Sequence, residues 1–292
     1  MKTLTVFTPT YNRAHTLGKC FESLKEQTSG DFVWQIVDDG STDNTEQLVK
    51  DFIKTAGFEI KYVKKENGGK VSAINKSLEI TKTPLWVCLD SDDYFTPDAV
   101  RIIIENYPAI KDKKDICGLF ALRSKPDLTP MQGMSIPEDV KYATQHDIRA
   151  KYGIPPEYVQ VYKTAIASNY KYPIFKGEKY MPLSYVQDQM DEKYKFFILR
   201  EPLMVCEYFP DGITQNHHKL VKNNPNGYIE FRRQQIVLSK SFKSKAIACI
   251  TYDTGNIIAH KKGWIKNSPA KALCVLCYPA AKLDYYRRYK NL

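Results

Sequence analysis

The chain has 292 residues, 43% of them apolar and 26% charged, with a formal net charge of +10. This composition suits a globular protein with a sizeable core and excludes disordered and fibrous classes, and no apolar run approaches the roughly 18 residues of a membrane span. The charge is uneven: from Lys219 to Leu292 there are 15 Lys and Arg against 3 acids, a net of +12, which leaves the first 218 residues at −2. A near-neutral body with a basic tail points to an anionic surface as partner.

Met1-Lys2-Thr3 leads directly into an apolar run with no signal-peptide pattern, so a cytoplasmic protein is expected. Leu4 to Thr8 reads as a short buried strand ended by Pro9, followed by the loop Thr10-Tyr11-Asn12-Arg13. Leu17, Cys20, Phe21 and Leu24 then recur at helical spacing, and Gln27 to Gly30 closes that segment. Phe32 to Val37 is a second strand leading into Asp38-Asp39-Gly40-Ser41, and a helix carries Leu48, Val49, Phe52 and Ile53. Phe58 to Val63 makes a third strand. Asn67-Gly68-Gly69-Lys70 turns into a helix with Ala73, Ile74, Ser77 and Leu78.

Leu85 to Leu89 is a fourth apolar run, and it ends in Asp90-Ser91-Asp92-Asp93. Such a run suits a parallel strand covered on both faces, and ligands of open α/β sheets collect at the carboxyl ends of their strands. Carboxylates crowded there repel one another unless a cation sits among them, and a hard divalent ion is the simplest resident. The alternation of strands and helices predicts an α/β fold, a parallel or mixed sheet with helices on both faces. One sheet edge then gathers Tyr11, Arg13, Asp38, Asp39, Lys70, Asp90 and Asp92, a mixture suited to a nucleotide with a metal-bound diphosphate. Neither a dinucleotide-binding nor a P-loop glycine pattern is present.

Four segments, Thr8-Pro9-Thr10-Tyr11-Asn12-Arg13, Ile36 to Asp43, Asn67-Gly68-Gly69-Lys70 and Asp90-Ser91-Asp92-Asp93, resemble in order and spacing the family 2 glycosyltransferases of the GT-A fold. The likeness covers roughly residues 1 to 100. It implies a UDP-sugar donor, Mn²⁺ or Mg²⁺, and inversion at the anomeric carbon. By position, Pro9, Tyr11 and Asp39 contact the nucleoside, with Arg13 on the same rim. Lys70 lies near the diphosphate, Asp90 faces the ribose or the metal through water, and Asp92 holds the metal directly. The general base of the family is an Asp or Glu near a helix start, and that position falls on Leu183, which cannot take a proton. Asp188 is the preferred substitute, with Glu178 and Asp191 as alternatives.

Further along, Thr96-Pro97-Asp98 reads as a helix start with Thr96 as cap. Ile116 to Leu122, Glu157 to Tyr162 and a stretch within Lys195 to Val205 read as strands, and Ser124 to Pro137 as a long loop that shapes the acceptor pocket. Asp43 is expected to cap a helix. His217-His218, after Asp211-Gly212-Ile213-Thr214, stand as minor candidates for diphosphate or metal contact. The seven cysteines are expected to be reduced, and Cys274-x-x-Cys277 lacks the second pair a structural zinc site needs.

Ala272 to Tyr278, bracketed by Lys261, Lys262, Lys266, Lys271 and Lys282, has the pattern of an interfacial membrane helix, the alternative being a helix docked on the body. One domain is expected in two halves, 1–115 binding the nucleotide-sugar and 116–217 binding the acceptor, followed by a basic helical extension over 218–292. The whole reads as a glycosyltransferase acting on a glycan or lipid-linked acceptor in polysaccharide assembly, without a nucleic-acid partner. A nucleotide-sugar-binding protein lacking turnover and a nucleotidyltransferase are the alternatives.

Overall fold

The computed structural model describes residues 1–131, 133–155, 157–206 and 217–292. The chain forms two compact units: Met1–Lys171 with the described residues of Gln189–Tyr208, and Tyr172–Asp188 with those of Phe209–Leu292.

In the first unit the elements run β1 (Leu4–Thr10), α1 (Leu17–Lys25), β2 (Phe32–Asp38), α2 (Thr45–Thr55), β3 (Glu59–Lys64), α3 (Lys70–Ile80) and β4 (Leu85–Cys88). There follow β5 (Tyr94–Phe95), α4 (Ala99–Asn106), β6 (Ile116–Leu122), β7 (Tyr142–Ala143), α5 (Gln145–Tyr152), β8 (Tyr158–Lys163) and the short α6 (Thr164–Ala167). Helix α7 (Ser184–Asp191) leads into β9 (Lys195–Ile198) and β10 (Met204–Val205). Eight strands make one sheet in the order β3-β2-β1-β4-β8-β6-β9-β7, and β10 pairs with β5 in a second. The strands β3, β2, β1 and β4 are parallel, and β8 joins β4 antiparallel, so the sheet is mixed.

Every residue of β2 is buried because helices cover both faces of the sheet. On one face Phe21 of α1 stacks on Phe52 of α2 at 4.0 Å between ring centroids and on Trp34 of β2 at 6.1 Å. On the other, Gln35 of β2 and Trp86 of β4 both donate to Ser77 Oγ of α3, at 2.5 and 2.8 Å, so the buried polar groups on that face are paired. Between β6 and β8 the backbones approach so closely that a Cβ at Gly118 would lie 1.9 Å from the Val161 carbonyl oxygen, which only glycine permits.

Two local expectations change. Strand β1 continues through Pro9 to Thr10, because Thr10 pairs with Asp38 and its carbonyl accepts the Asp39 N–H at 2.8 Å. Pro9 faces the β4 side instead, where the ladder has already ended at the Phe7–Cys88 pair, so its missing N–H breaks no bond. Thr96 does not cap α4. Its hydroxyl donates to the Pro202 carbonyl at 2.9 Å, and Asp98 occupies the cap position.

The sheet runs unbroken past 115, and 172–188 joins the C-terminal residues. Within the second unit, α9 (Pro225–Leu238), α10 (Phe242–Ile258) and α11 (Lys271–Arg288) pack around Ile229, Ile236, Cys249, Tyr252 and Cys274, while α8 (His217–Asn223) places Val221 with Tyr228, Ile258 and Tyr289. Cys274 packs with Cys249, Ala281 accepts from Thr254, and Tyr289 packs with Ile258. Positions thus rise together along α10 and α11, and the two helices run in the same direction. The basic tail forms a helix that continues to Arg288, with Pro279 inside it. All seven cysteines are free thiols, five of them buried.

Candidate active site

The loops leaving β1 and β2 and entering α3 are bonded to one another. Asn12 adopts a left-handed backbone with φ of 53°, its N–H donates to Ser41 Oγ at 2.9 Å, and its Oδ1 accepts from the Thr42 N–H at 2.8 Å. This staple leaves Tyr11 at the loop tip, 47% exposed. Arg13 is half-buried, and its carbonyl accepts the N–H groups of Thr16 and Leu17 that open α1. Pro9 is half-buried at the end of β1.

The two acids after β2 have separate structural tasks. Asp38 accepts from the Ser41 N–H and the Tyr62 hydroxyl, fixing the turn. Asp39, 4% exposed, accepts from the Gly68 N–H at 3.0 Å, the Gly69 N–H at 2.6 Å and Lys65 Nζ at 2.7 Å. The negative charge therefore sits beside the N-terminus of α3, where exposed N–H groups and the helix dipole favour it. Gly40 sits at this junction with φ of 85°, and a Cβ there would come within 3.1 Å of the Asn67 nitrogen. Asp43 accepts from Thr45 N–H and Oγ1, but the cap position of α2 is held by Asn44, so Asp43 braces the turn before the helix and is not its cap.

At the exit of β4 three carboxylates stand in three different situations. Asp90 pairs with Lys70 Nζ at 2.6 Å and lies 3.7 Å from the Arg123 guanidinium. Burial opposes its ionisation, yet Lys70 and Arg123 outweigh that and hold the carboxyl below its usual range. Burial also works against the Lys70 ammonium, but Asp90 keeps it charged. Asp93, 5% exposed, lies 3.5 Å from Arg123, and burial with help from Asp90 and Asp92 pushes its carboxyl up to about 7. Asp92, half-buried between them, makes no hydrogen bond or ion pair among the described residues.

The internal cation of this cluster is Arg123, which sequence reading missed. It stands one residue past β6, and it is brought to the β4 exit because Ser124 bridges Val205 while β10 pairs with β5, the strand just after Asp93. The available signal was position: like the acids, Arg123 is the first charged residue after a buried strand. Lys65 was missed as well, since it follows a half-exposed strand that already ends in Lys64.

The donor set fits a hard divalent cation shared with a substrate. Among the described residues no three His, Cys, Asp or Glu side chains are placed to hold a metal by themselves. Magnesium-type ions commonly take only one or two carboxylates and complete their sphere with phosphate oxygens and water. Asp92 supplies one uncommitted carboxylate for that role, and Asp90 a second whose charge Lys70 shares.

Two of the three candidates for the base serve as helix caps. Glu178 accepts from the Asn226 N–H, Asn226 Nδ2 and Gly227 N–H at 2.7 to 2.8 Å, capping α9. Asp191 accepts from the Gln145 and His146 N–H groups at 3.1 and 2.7 Å, capping α5. Asp188 is half-buried on α7, in the second unit, and the Leu183 carbonyl accepts the Tyr172 hydroxyl. His217 packs edge-on to Tyr180, and His218 packs on Tyr289, all within the second unit. The Asp211 to Thr214 segment ahead of them lies outside the described residues.

Comparison with solved structures shows the fold. S. aureus TarS 1-349 in complex with UDP-GlcNAc covers 98% of this chain and 92% of that one, with a TM-score of 0.57 and 16% identity. The mannosyltransferase PcManGT from Pyrobaculum calidifontis, in complex with GDP-Man and Mn²⁺, covers 99% and 82%, with a TM-score of 0.59 and 17% identity. The fold is that of the GT-A glycosyltransferases. Among curated proteins, the teichoic acid poly(glycerol phosphate) polymerase of Staphylococcus epidermidis is 35% identical over 108 residues, 37% of this chain and 15% of that protein. The chondroitin synthase of Pasteurella multocida is 34% identical over 114 residues, 39% of this chain and 12% of the synthase. The match thus spans only a small part of these longer relatives. The family profile described as glycosyl transferase family 2 matches residues 5–165, more than half of the chain and including all four loop motifs, and the protein belongs to that family of glycosyltransferases.

Proposed function

We propose that the protein transfers one sugar from a UDP-sugar to a hydroxyl of a glycan or lipid-linked acceptor, in a single displacement that inverts the anomeric centre. The observation that carries this reading is the state of the β4 exit: Asp90 and Asp93 have internal cations, and among the described residues Asp92 has none. Donor recognition is assigned to 1–115 and acceptor recognition to 116–217, with 218–292 as a basic extension.

In this reading the exposed Tyr11 ring stacks on the base, Pro9 lines the same side, and Asp39 meets the nucleoside from the floor of the loop junction. Arg13 and Lys70 face the diphosphate, and Lys70 has further N–H groups beyond the one given to Asp90. Asp92 would hold Mn²⁺ or Mg²⁺ with Asp90 in support. A cation bound there takes up negative charge on the departing diphosphate. Asp188 accepts the proton of the attacking hydroxyl, a role that rests on the likeness of its helix to the one that carries the base in the family.

Calorimetric titration of UDP with and without Mn²⁺ tests the reading. Wild-type binding is expected to require the metal, and Asp92→Asn to lose that dependence. Retention of the full metal dependence by Asp92→Asn would overturn the assignment.

A further inference from the structure

Helix α11 packs one face into its bundle and leaves the other uncovered. Cys274 and Ala281 are buried, whereas Ala272, Val275, Leu276, Pro279, Ala280, Leu283 and Tyr286 are exposed. Leu276 is 76% exposed, Leu283 59% and Val275 56%. These positions follow the three- and four-residue spacing of a single helix face, so they form one apolar stripe about 21 Å long at 1.5 Å per residue.

The stripe is flanked by the exposed cations Lys271, Lys282, Arg287 and Lys290. Two of them are held along its border: Lys282 Nζ sits 4.9 Å from the Tyr278 ring centroid, and Lys290 Nζ 4.9 Å from that of Tyr286. Asp284, the one acid of the helix, accepts from Thr254 Oγ1 at 3.1 Å and pairs with Arg288 at 3.1 Å. The helix itself therefore presents no uncompensated negative charge beside the stripe. Lys261, Lys262 and Lys266, in the connection before α11, are exposed as well.

We infer that this face of α11 docks on an anionic lipid bilayer, with the helix lying in the plane of the headgroups. A helix with an uncovered apolar face, a cationic border and no capacity to span has the properties of an interfacial element. Pro279 supports this placement. It has no N–H, so the Val275 carbonyl on the outward face lacks its helical partner. Headgroups and water satisfy that carbonyl, which a dry protein contact would leave unpaired. Charge decides against a second copy as the occupant, because an isologous pairing of the stripe would set Lys282, Arg287 and Lys290 against their own kind.

The test is sedimentation of the full chain with vesicles of phosphatidylcholine and phosphatidylglycerol in equal parts, and of phosphatidylcholine alone. Neither donor nor acceptor is needed, so the result is independent of the proposed transfer reaction. Wild type should bind the mixed vesicles, bind less as salt rises, and bind phosphatidylcholine weakly. Leu276→Glu and Leu283→Glu, both on exposed positions, should each reduce binding about tenfold. Lys282→Glu with Arg287→Glu should weaken binding to the mixed vesicles alone, with an unchanged circular dichroism spectrum. Wild type failing to bind, or the leucine variants binding as wild type does, would overturn the inference. So would a wild-type dimer in sedimentation velocity that the leucine variants render monomeric, which would assign the stripe to a second copy.

Discussion

Replacing Asp39 by Asn changes one atom and tests what that side chain is for. The carboxylate accepts from Gly68 N–H, Gly69 N–H and Lys65 Nζ, all donors. An amide keeps one acceptor oxygen and turns an NH₂ toward either Gly69 or the Gly68–Lys65 pair, so at least one buried donor loses its partner. Such a loss costs about 1–3 kcal/mol, and the weakened Lys65 pairing adds to it, for a total of roughly 2–4 kcal/mol. At a urea dependence of about 1–3 kcal/mol per M, the midpoint falls by on the order of 1 M. Urea titration followed by the fluorescence of Trp34 and Trp86, both buried in the same sheet, measures the shift. UDP affinity should fall in parallel, because the loop that presents Tyr11 is joined to the same junction. A variant that unfolds at the wild-type midpoint and loses only UDP affinity would show that the carboxylate serves the ligand and that the junction holds without it.

Three further outcomes are expected. Asp188→Ala should leave UDP affinity intact and stop transfer, and normal transfer would remove it as the base. Glu178→Ala should lower the stability of the C-terminal unit by about 1–2 kcal/mol, since it strips the cap of α9, while the folded fraction still transfers sugar. Asp253 is fully buried, and burial raises its carboxyl from 3.8 to about 6, against the hydrogen bond from Trp264. The folded unit therefore binds the proton more tightly than the unfolded chain, and stability drops as pH rises from about 4 through 6. Asp253→Asn should exceed wild type in stability by on the order of 2 kcal/mol at pH 8, with the gap closing by pH 4 in thermal melts at each pH.

The first hundred residues were legible because each strand and helix there carries its own periodicity and the connections are short. Leu17, Cys20, Phe21 and Leu24 announce α1 without any knowledge of the sheet they cover. What could not be read depends on partners far along the chain. Pro9 looks like a strand end until β4 is known to stop beside it. Thr96 looks like a cap until Pro202 supplies its acceptor. Glu178 and Asp191 stand in the sequence as alternatives to Asp188 for the base, and contacts 45 to 49 residues away engage them as helix caps. The acids after β4 were visible as a group, but their division into paired and unpaired members depends on Arg123, which the pairing of β10 with β5 places. The pairing of 172–188 with the C-terminal helices left no local pattern at all.

The pairing of Asp90 and Asp93 with Lys70 and Arg123 also bears on how metal use and folding are related. A cluster in which two of the three carboxylates are already paired from within does not need an ion to assemble, unlike small metal sites in which binding energy is folding energy. Under the proposed metal-assisted reading, the apoprotein should accordingly remain folded in a chelator, and metal occupancy would be a reversible event set by the concentrations of cation and donor. Cellular manganese or magnesium could then regulate turnover while the amount of folded protein stays constant.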